Sequence, residues 1–270
     1  VTGDIARRVP EVLDSWTEAG SASFAERHFP FSGDQLNSFF PPDYIVEYTG
    51  QIRAWFYVLH VISNALYGSL AFKNVNVTGV VLGTDGRKMS KNYGNYPDPK
   101  RLLETYGGDA LRLYLMGSPV MRGEDLVISE QDYENWVKQY LRILWNCYKF
   151  FITYANLDGW ENQKFSITQI QTNFNQNFES LNILDQWILI LLNQARDNIT
   201  FALESYDTVN AVKEAKDFVS HLSHWYIRRS RDRVGIQVEN QTDKESFYQT
   251  SLFVLTTYAQ LIAPLAPFIS

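Results

Sequence analysis

The hydrophobic pattern of the first part of the chain alternates between strand-like and helix-like segments. The segments DYIVEYT (43–49) and NVNVTGVVL (74–82) are short and rich in β-branched and aromatic residues, which is typical of strands. Between them, QIRAWFYVLHVISNALY (51–67) repeats hydrophobic residues every three or four positions, which predicts an amphipathic helix. This order predicts an α/β arrangement with a largely parallel sheet.

Turn and capping residues extend the same pattern toward residue 125. Asp98 followed by Pro99 predicts a helix start, because the aspartate can cap the first turn and the proline suits its first position. The pair Gly107-Gly108 predicts the end of that helix, and DALRLYLM begins another. Residues 1–125 are therefore predicted to form one α/β domain.

After Gly123 the pattern becomes almost entirely helical, with Ser129 and Asp132 predicted to open a long helix that runs to about Asn156. The polar stretch WENQKFSITQIQTNFNQNF is interpreted as a linker with at most one short turn of helix. Further amphipathic helices are predicted over 180–205, 207–234 and 243–262. Four long helices favour an antiparallel bundle, so residues 126–270 are predicted to form a second, all-α domain.

Composition narrows the class of protein. The chain has 270 residues, of which 45% are hydrophobic and 15% aromatic, so it can bury a substantial core. Its single cysteine, Cys147, excludes a disulfide framework and suits a reducing compartment. No apolar run is long enough for a membrane span, and the net charge of −6 argues against general nucleic-acid binding. We expect a soluble, cytoplasmic protein with no membrane or DNA partner.

The segment DGRKMSKNYGN, 85–95, is the first candidate for chemistry, because it places Lys88 and Lys91 three residues apart among glycines. It follows a predicted strand, at the edge where α/β sheets bind ligands. Two lysines there could neutralise phosphate oxygens, or they could belong to a solvated turn. Neither a P-loop nor a dinucleotide-binding glycine pattern occurs.

Basic residues are also concentrated in WYIRRSRDR, which carries four arginines and one aspartate. The segment could be a solvated helix end, where arginines complement the helix dipole, or a contact for an RNA backbone. His221 and His224 have helical metal-ligand spacing, but no carboxylate or cysteine partner is evident, so we interpret them as a surface pair and predict no bound metal.

Five segments in order resemble the isoleucyl-tRNA synthetases, a family of class I aminoacyl-tRNA synthetases. GRKMSKNYGNYPDP resembles the KMSKS signature, and VPEVLDSWTEAGS and VEYTGQIRAWF resemble two further segments of the catalytic domain. GGDALRLYL and HWYIRRSRDR resemble stretches of the isoleucyl enzymes in particular. The resemblance implies the second half of a Rossmann-type catalytic domain followed by a helical anticodon-binding domain.

The resemblance also implies roles for individual residues. Lys91, with Lys88 beside it, matches the lysine that stabilises the ATP triphosphate during adenylation. Trp16 and Trp55 match two indoles that wall the isoleucine side-chain pocket. Without the resemblance, the position of Trp55 on the apolar face of its helix favours a core tryptophan, whereas Trp16 could equally be either. The implied ATP- and adenylate-binding residues are Glu47, Gln51, Lys88, Met89, Ser90 and Lys91.

The implied partners are isoleucine, ATP with its accompanying Mg²⁺, and tRNA(Ile). Flat indole walls suit a branched alkyl side chain, although such a pocket can reject a molecule one methylene smaller only by ~1–3 kcal/mol. The helical domain is implied to contact tRNA through the basic segment, with Arg228, Arg229, Arg231 and Arg233 as its candidate residues.

The sequence departs from the family pattern at Thr17, Gly50, Ala54 and Asn92. It also contains no His-x-Gly-His sequence and no editing insertion, so we expect an internal fragment with negligible activity alone. Two alternatives stay open: a tRNA-binding paralogue without catalytic activity, and a valyl or leucyl enzyme of the same class.

Overall fold

The computed structural model describes residues 5, 7–11, 15–161 and 166–270, and these residues form two compact units. One unit contains the described residues up to Val80 together with Arg122–Glu124. The other contains Val81–Met121 and Asp125–Ser270. These units are defined by compactness, and the functional boundary predicted near residue 125 stays a prediction.

The first unit is built around two parallel strands and the helix that connects them. Its elements in chain order are α1 (Ser15–Ala19), α2 (Ala22–Ala25), β1 (Tyr44–Tyr48), α3 (Trp55–Tyr67) and β2 (Asn74–Thr78). The strands run in parallel and place Tyr44 opposite Asn74. The predicted first strand and the helix after it are therefore confirmed, although the helix begins only at Trp55, after a short 3₁₀ turn.

The prediction of one continuous strand over 74–82 is wrong. The segment forms β2 and then a separate strand β3 (Val81–Leu82), which pairs in parallel with β4 (Leu126–Val127) in a second two-stranded sheet. The pairing of β1 with β2 ends at Tyr48 and Thr78, because Tyr48 is the last residue of β1. Val81 pairs instead with Leu126 of β4.

Between β3 and β4 lie helices α4 (Pro99–Tyr106) and α5 (Gly108–Met116), as the capping pattern predicts. The Asp98 carboxylate accepts a hydrogen bond from the Lys100 N–H, and Pro99 occupies the first helical position. The first turn of a helix leaves backbone N–H groups unpaired. The Asp98 side chain accepts a hydrogen bond from one of them, and Pro99 has no N–H at its position.

The long helix predicted after Ser129 is also confirmed. The Ser129 hydroxyl accepts a hydrogen bond from the Asp132 N–H at 3.3 Å and caps the first turn. The helix consists of α6 (Glu130–Trp136), a π-helical turn (Val137–Leu141) and α7 (Arg142–Leu157).

The polar stretch interpreted as a linker contains instead a helix of 11 residues, α8 (Ile167–Asn177). Ser166 and Gln169 form a capping box at its start, in which each side chain accepts a hydrogen bond from the other residue's backbone N–H. Ile170 and Phe174 are 1% and 4% exposed, so this helix buries a hydrophobic stripe in the core of the second unit. The helical spacing of these two residues was present in the sequence but was outweighed by the surrounding polar residues.

Three further helices complete the predicted bundle: α9 (Ile183–Glu204), α10 (Thr208–His221) and α11 (Gln241–Ile262). A π-helical segment, Leu222–Ile227, continues α10 toward the basic stretch. Among the described residues, no helix has both the length and the apolar character needed to cross a membrane.

The bundle core contains fully buried tyrosines whose hydroxyl groups are paired. The Tyr140 and Tyr258 hydroxyl oxygens lie 2.7 Å apart, and Tyr258 also donates to the Ala215 carbonyl oxygen at 2.7 Å. Since the Tyr258 hydrogen serves Ala215, Tyr140 is the donor between the two tyrosines. These hydrogen bonds satisfy polar groups that would otherwise destabilise the core.

Candidate active-site loop and basic surface

The loop that carries the two predicted lysines runs from the end of β3 to the start of α4. Lys88 and Lys91 are exposed, whereas Met89 and Ser90 between them are partly buried. Within the described parts of the chain, neither lysine forms an ion pair with a carboxylate. Both ammonium groups are therefore available to an anionic ligand.

Asn95 holds this loop together from the inside and is only 7% exposed. Its side-chain oxygen accepts a hydrogen bond from the Ser90 N–H at 3.0 Å. Its amide nitrogen donates to the Asp85 carboxylate at 2.8 Å and to the Lys88 carbonyl oxygen at 3.3 Å. One buried amide thus fixes the backbone on both sides of Met89.

Asp85 and Arg87 form a second part of this anchor. The Arg87 backbone and side chain both donate to the Asp85 carboxylate, at 3.0 and 2.8 Å. The hydrogen bond from Asn95 is the largest cause that lowers the pKa of Asp85 to about 2, followed by those from Arg87. The Arg87 guanidinium also lies 4.6 Å from the ring centre of Tyr93. Arg87 is therefore occupied within the loop, in contrast to the two lysines.

Gly83 permits the close packing of Asn95 at the base of the loop. A Cβ atom at position 83 would lie 2.5 Å from the Asn95 carbonyl oxygen and in steric conflict with the Asn95 amide. The Gly83 N–H donates to the Arg87 carbonyl oxygen at 2.7 Å, and the Thr84 N–H donates to the Asn95 carbonyl oxygen at 2.8 Å. The base of the loop is thus a compact, hydrogen-bonded turn.

Glu47 and Gln51 lie in the first unit, at the end of β1 and in the turn that follows. Glu47 is partly buried, and its carboxylate accepts a hydrogen bond from the Tyr48 N–H at 3.2 Å. Gln51 accepts one from the Trp55 N–H at 3.2 Å and so satisfies a donor at the start of α3. Gln51 therefore has a local structural role in addition to the predicted ligand contact.

The two predicted pocket tryptophans lie on α1 and α3, which pack together. The Trp55 indole N–H donates to the Ala19 carbonyl oxygen at 2.9 Å and so links α3 to the end of α1. Trp16, on α1, remains 38% exposed. Gly20 allows this close approach, because a Cβ there would contact side chains of α3 at 2.7 Å. The structure thus brings Trp16 and Trp55 to two contacting helices of one unit.

The basic segment begins within the π-helical end of α10. Arg228, Arg229 and Arg231 are exposed. The Arg229 guanidinium lies 4.2 Å from the ring centre of Trp225, and His224 and Arg228 line a surface groove with these two residues.

Arg233 departs from the prediction for this segment, since it is only 7% exposed. Its guanidinium donates to both oxygens of Asp185 at 2.9 and 2.7 Å, and to the Asp243 carboxylate at 2.9 and 2.8 Å. Burial lowers the pKa of Arg233, but these hydrogen bonds outweigh it and raise the pKa overall. The structure therefore assigns Arg233 to the core, and we withdraw it from the candidate RNA contacts.

Sequence reasoning did not single out Asp185, Asn95 or Trp225. Asp185 interrupts the apolar run ILDQWILILL, and a lone carboxylate in such a run is a signal for a buried cationic partner. No comparable pattern distinguishes Asn95 from the other asparagines near it. The exposure of Trp225 depends on the π-helical segment Leu222–Ile227, which no sequence pattern predicts.

Comparison with protein families links both candidate sites to known proteins. Residues 2–127 match the model of class I tRNA synthetases for I, L, M and V, and residues 185–270 match the model of the anticodon-binding domain of tRNA ligase. The basic segment lies within the second match and the lysine loop within the first.

Individual relatives agree with the family matches. An isoleucine–tRNA ligase from Nocardia farcinica is 43% identical over 98% of this chain, and one from Treponema pallidum is 40% identical over 99%. The chain spans only 23% and 25% of the length of these two relatives, which is about a quarter.

Solved structures show the same fold at low sequence identity. A leucyl-tRNA synthetase of Agrobacterium radiobacter K84, in a ternary complex with tRNA and LeuAMS, is 16% identical with a TM-score of 0.67. That likeness covers 99% of this chain and 31% of the solved chain. A methionyl-tRNA synthetase of Mycobacterium tuberculosis, bound by methionyl-adenylate, is 19% identical with a TM-score of 0.72, over 93% of this chain and 47% of the other.

Proposed function

The chain belongs to the class I aminoacyl-tRNA synthetases, and on that premise we propose that it works within an enzyme that attaches isoleucine to tRNA(Ile) with ATP. In the first step, the isoleucine carboxylate attacks the α-phosphorus of ATP, and pyrophosphate leaves as the isoleucyl-adenylate forms. In the second, a ribose hydroxyl of the tRNA attacks the acyl carbon and AMP leaves. The cytoplasm is the proposed compartment for this reaction.

The loop geometry is the observation that carries the proposal. Lys88 and Lys91 present two ammonium groups that have no ion-pair partner among the described residues, on a turn that Asn95 anchors. As pyrophosphate departs, negative charge increases on the phosphate oxygens, and cations already in position stabilise that charge without reorganising. We assign this role to Lys91 and Lys88, with Met89 and Ser90 shaping the backbone between them.

Glu47 and Gln51 are proposed to contact the adenylate, and Trp16 and Trp55 to form the walls of the isoleucine pocket. The link between Trp55 and Ala19 supports a rigid wall, since it fixes the orientation of the indole. Mg²⁺ would accompany the ATP phosphates, and no group of three metal-ligating side chains is found among the described residues. The two lysines fit the phosphates whether or not protein groups also ligate that ion.

The helical part of the chain is proposed to bind tRNA through Arg228, Arg229 and Arg231. All three are exposed, and guanidinium groups are suited to phosphate oxygens. Relatives named isoleucine–tRNA ligases support isoleucine over valine or leucine as the substrate, and they do not favour the alternative of a paralogue without catalytic activity.

Amino-acid-dependent exchange of pyrophosphate into ATP by the full-length protein tests the catalytic proposal. We expect isoleucine to support exchange far better than leucine, and Lys91→Ala to reduce kcat by about 100-fold or more, the scale of a lost transition-state donor. Lys100→Ala is the matched control, because Lys100 is an exposed lysine on the adjacent helix. Equal exchange by the Lys91 and Lys100 variants would refute the assignment.

A further inference from the structure

Trp225 is an exposed aromatic side chain at the start of the basic segment. It is 48% exposed, while Tyr226 and Ile227, which follow it, are 0% and 6% exposed. The π-helical segment Leu222–Ile227 places it there, and such segments are rare and often lie at functional sites. A half-exposed indole leaves a large apolar surface in water.

The groups around Trp225 are aromatic or basic. Arg229 covers part of the indole at 4.2 Å, and Trp187 lies beside it with ring centres 6.4 Å apart and a tilt of 50°. The groove at this place is lined by His224, Trp225, Arg228 and Arg229, and this lining includes no carboxylate. We call Trp187, Trp225 and Arg229 the Trp225 platform.

This combination matches the chemistry of an unpaired RNA nucleotide. An exposed indole offers a flat surface to a base, because bases stack on aromatic side chains regardless of sequence. Guanidinium groups next to it can meet the flanking phosphates. A duplex would not use the indole, since its bases are already stacked on one another. Asp232, in the turn that follows, carries an exposed carboxylate and is not among the residues that line the groove.

We propose that the Trp225 platform stacks an unpaired base of RNA, with Arg228 and Arg229 on the phosphates beside that base. The inference rests on the proposed tRNA function and makes it more specific: single-stranded RNA, and not a stem, meets this face. The competing interpretation is an intrahelical Arg–Trp pair that only stabilises the helix.

Fluorescence anisotropy with the 270-residue chain tests this proposal. The probes are a labelled seven-nucleotide single-stranded RNA, the same oligonucleotide with abasic sites, and a blunt RNA duplex. We expect Trp225→Ala to weaken binding of the intact single strand by roughly 5- to 150-fold, the range for one lost base stack. The salt dependence should be unchanged, because no phosphate contact is removed. Trp225→Phe should retain most of the affinity.

Trp145→Ala is the matched control, because Trp145 is 54% exposed on α7 of the same unit. Thermal unfolding of both variants checks that neither has lost its fold. Equal affinities of the Trp225→Ala and Trp145→Ala chains, or no binding of the single strand by the unaltered chain, would overturn the proposal.

A variant with Arg228→Ala and Arg229→Ala distinguishes base stacking on the Trp225 platform from tRNA binding by the arginine surface. If this variant loses affinity and has a smaller salt slope while Trp225→Ala binds normally, the platform is refuted and the proposed tRNA surface survives. If the arginine variant also binds RNA normally, the tRNA surface itself is refuted.

Discussion

Replacing Asp185 by alanine should be among the most destabilising single changes in the helical unit. Asp185 is 0% exposed and accepts hydrogen bonds from Arg233, from the Tyr226 hydroxyl at 2.8 Å and from the Ser246 hydroxyl at 2.7 Å. Without it, the buried Arg233 guanidinium keeps Asp243 as its one carboxylate partner among the described residues, and two hydroxyl groups lose this acceptor.

The expected magnitude follows from this loss. Breaking a buried ion pair by removing one partner costs about 3–5 kcal/mol, because the other charge stays buried. Asp243 remains near Arg233, so we take the lower part of that range, about 3–4 kcal/mol. For a unit of this size, each kcal/mol lowers Tm by about 2–4 °C, so the expected decrease in Tm is roughly 6–16 °C.

Urea and thermal unfolding, followed by far-UV circular dichroism, measure this loss because the helical unit dominates that signal. Asp197→Ala is the matched control on the same helix, since Asp197 pairs with Arg196 at the surface, where both side chains are at least 50% exposed. Such a pair contributes at most about 1 kcal/mol. A difference below 1 kcal/mol between the free energies of unfolding of the Asp185→Ala and Asp197→Ala chains would refute the expected loss.

The double change Asp185→Leu with Arg233→Met adds an internal test of the cause. If an unpaired buried charge is responsible, removing both charges should recover much of the stability lost in Asp185→Ala, because apolar replacements of buried ion pairs are often tolerated. Failure to recover any stability would mean that packing around Asp185, and not the charge, determines the loss.

Two further predictions concern the loop and the bundle core. Asn95→Ala should raise the pKa of Asp85 from about 2 toward 3.8, because the Asn95 hydrogen bond is the largest cause of the lowering; a ¹³C NMR titration of the carboxyl carbon measures it. Since the folded-state pKa is the lower one, these hydrogen bonds stabilise the loop above pH 3.8 and are lost as the pH falls toward 2. Tyr258→Phe should cost about 1–3 kcal/mol in urea unfolding, because it leaves the buried Tyr140 hydroxyl without an acceptor and removes the hydroxyl that donates to the Ala215 carbonyl oxygen. Tyr140→Phe should cost less, since Tyr258 keeps its acceptor, and an equal cost for both would contradict this hydrogen-bond arrangement.

Helices with strong hydrophobic periodicity were the elements that could be predicted best from sequence. The helix after Asp98 and the helix after Ser129 both begin at the predicted caps, because capping depends on residues within one turn. The helix α8 was missed because its stripe rests on few apolar residues in a polar stretch. The break between β2 and β3 was missed for a different reason: strand pairing is decided by distant residues, here Tyr48 and Leu126.

The candidate site residues differ in the same way: some can be predicted from neighbouring sequence, and others depend on contacts with distant residues. The lysines of the loop could be predicted from their own segment, because their spacing and the glycines around them are local. The buried position of Arg233 could not, because it depends on Asp185, 48 residues earlier in the chain, and that contact exists only after α9 packs beside the end of α10.

One physical rule separates the cations proposed to bind ligands from those that stabilise the fold. Arg87 and Arg233 each have carboxylate partners within the protein, at 2.7 Å in both cases, so their charge is already compensated. Lys88 and Lys91 are exposed and lack such a partner among the described residues, which agrees with the phosphate-binding role proposed for them. A cation that is already paired with a carboxylate gains little binding free energy from a phosphate, because it must first give up that contact. A solvated cation on an anchored turn has no such contact to break. The hydrogen bonds from Arg87 to the Asp85 carboxylate therefore distinguish Arg87 from the neighbouring Lys88.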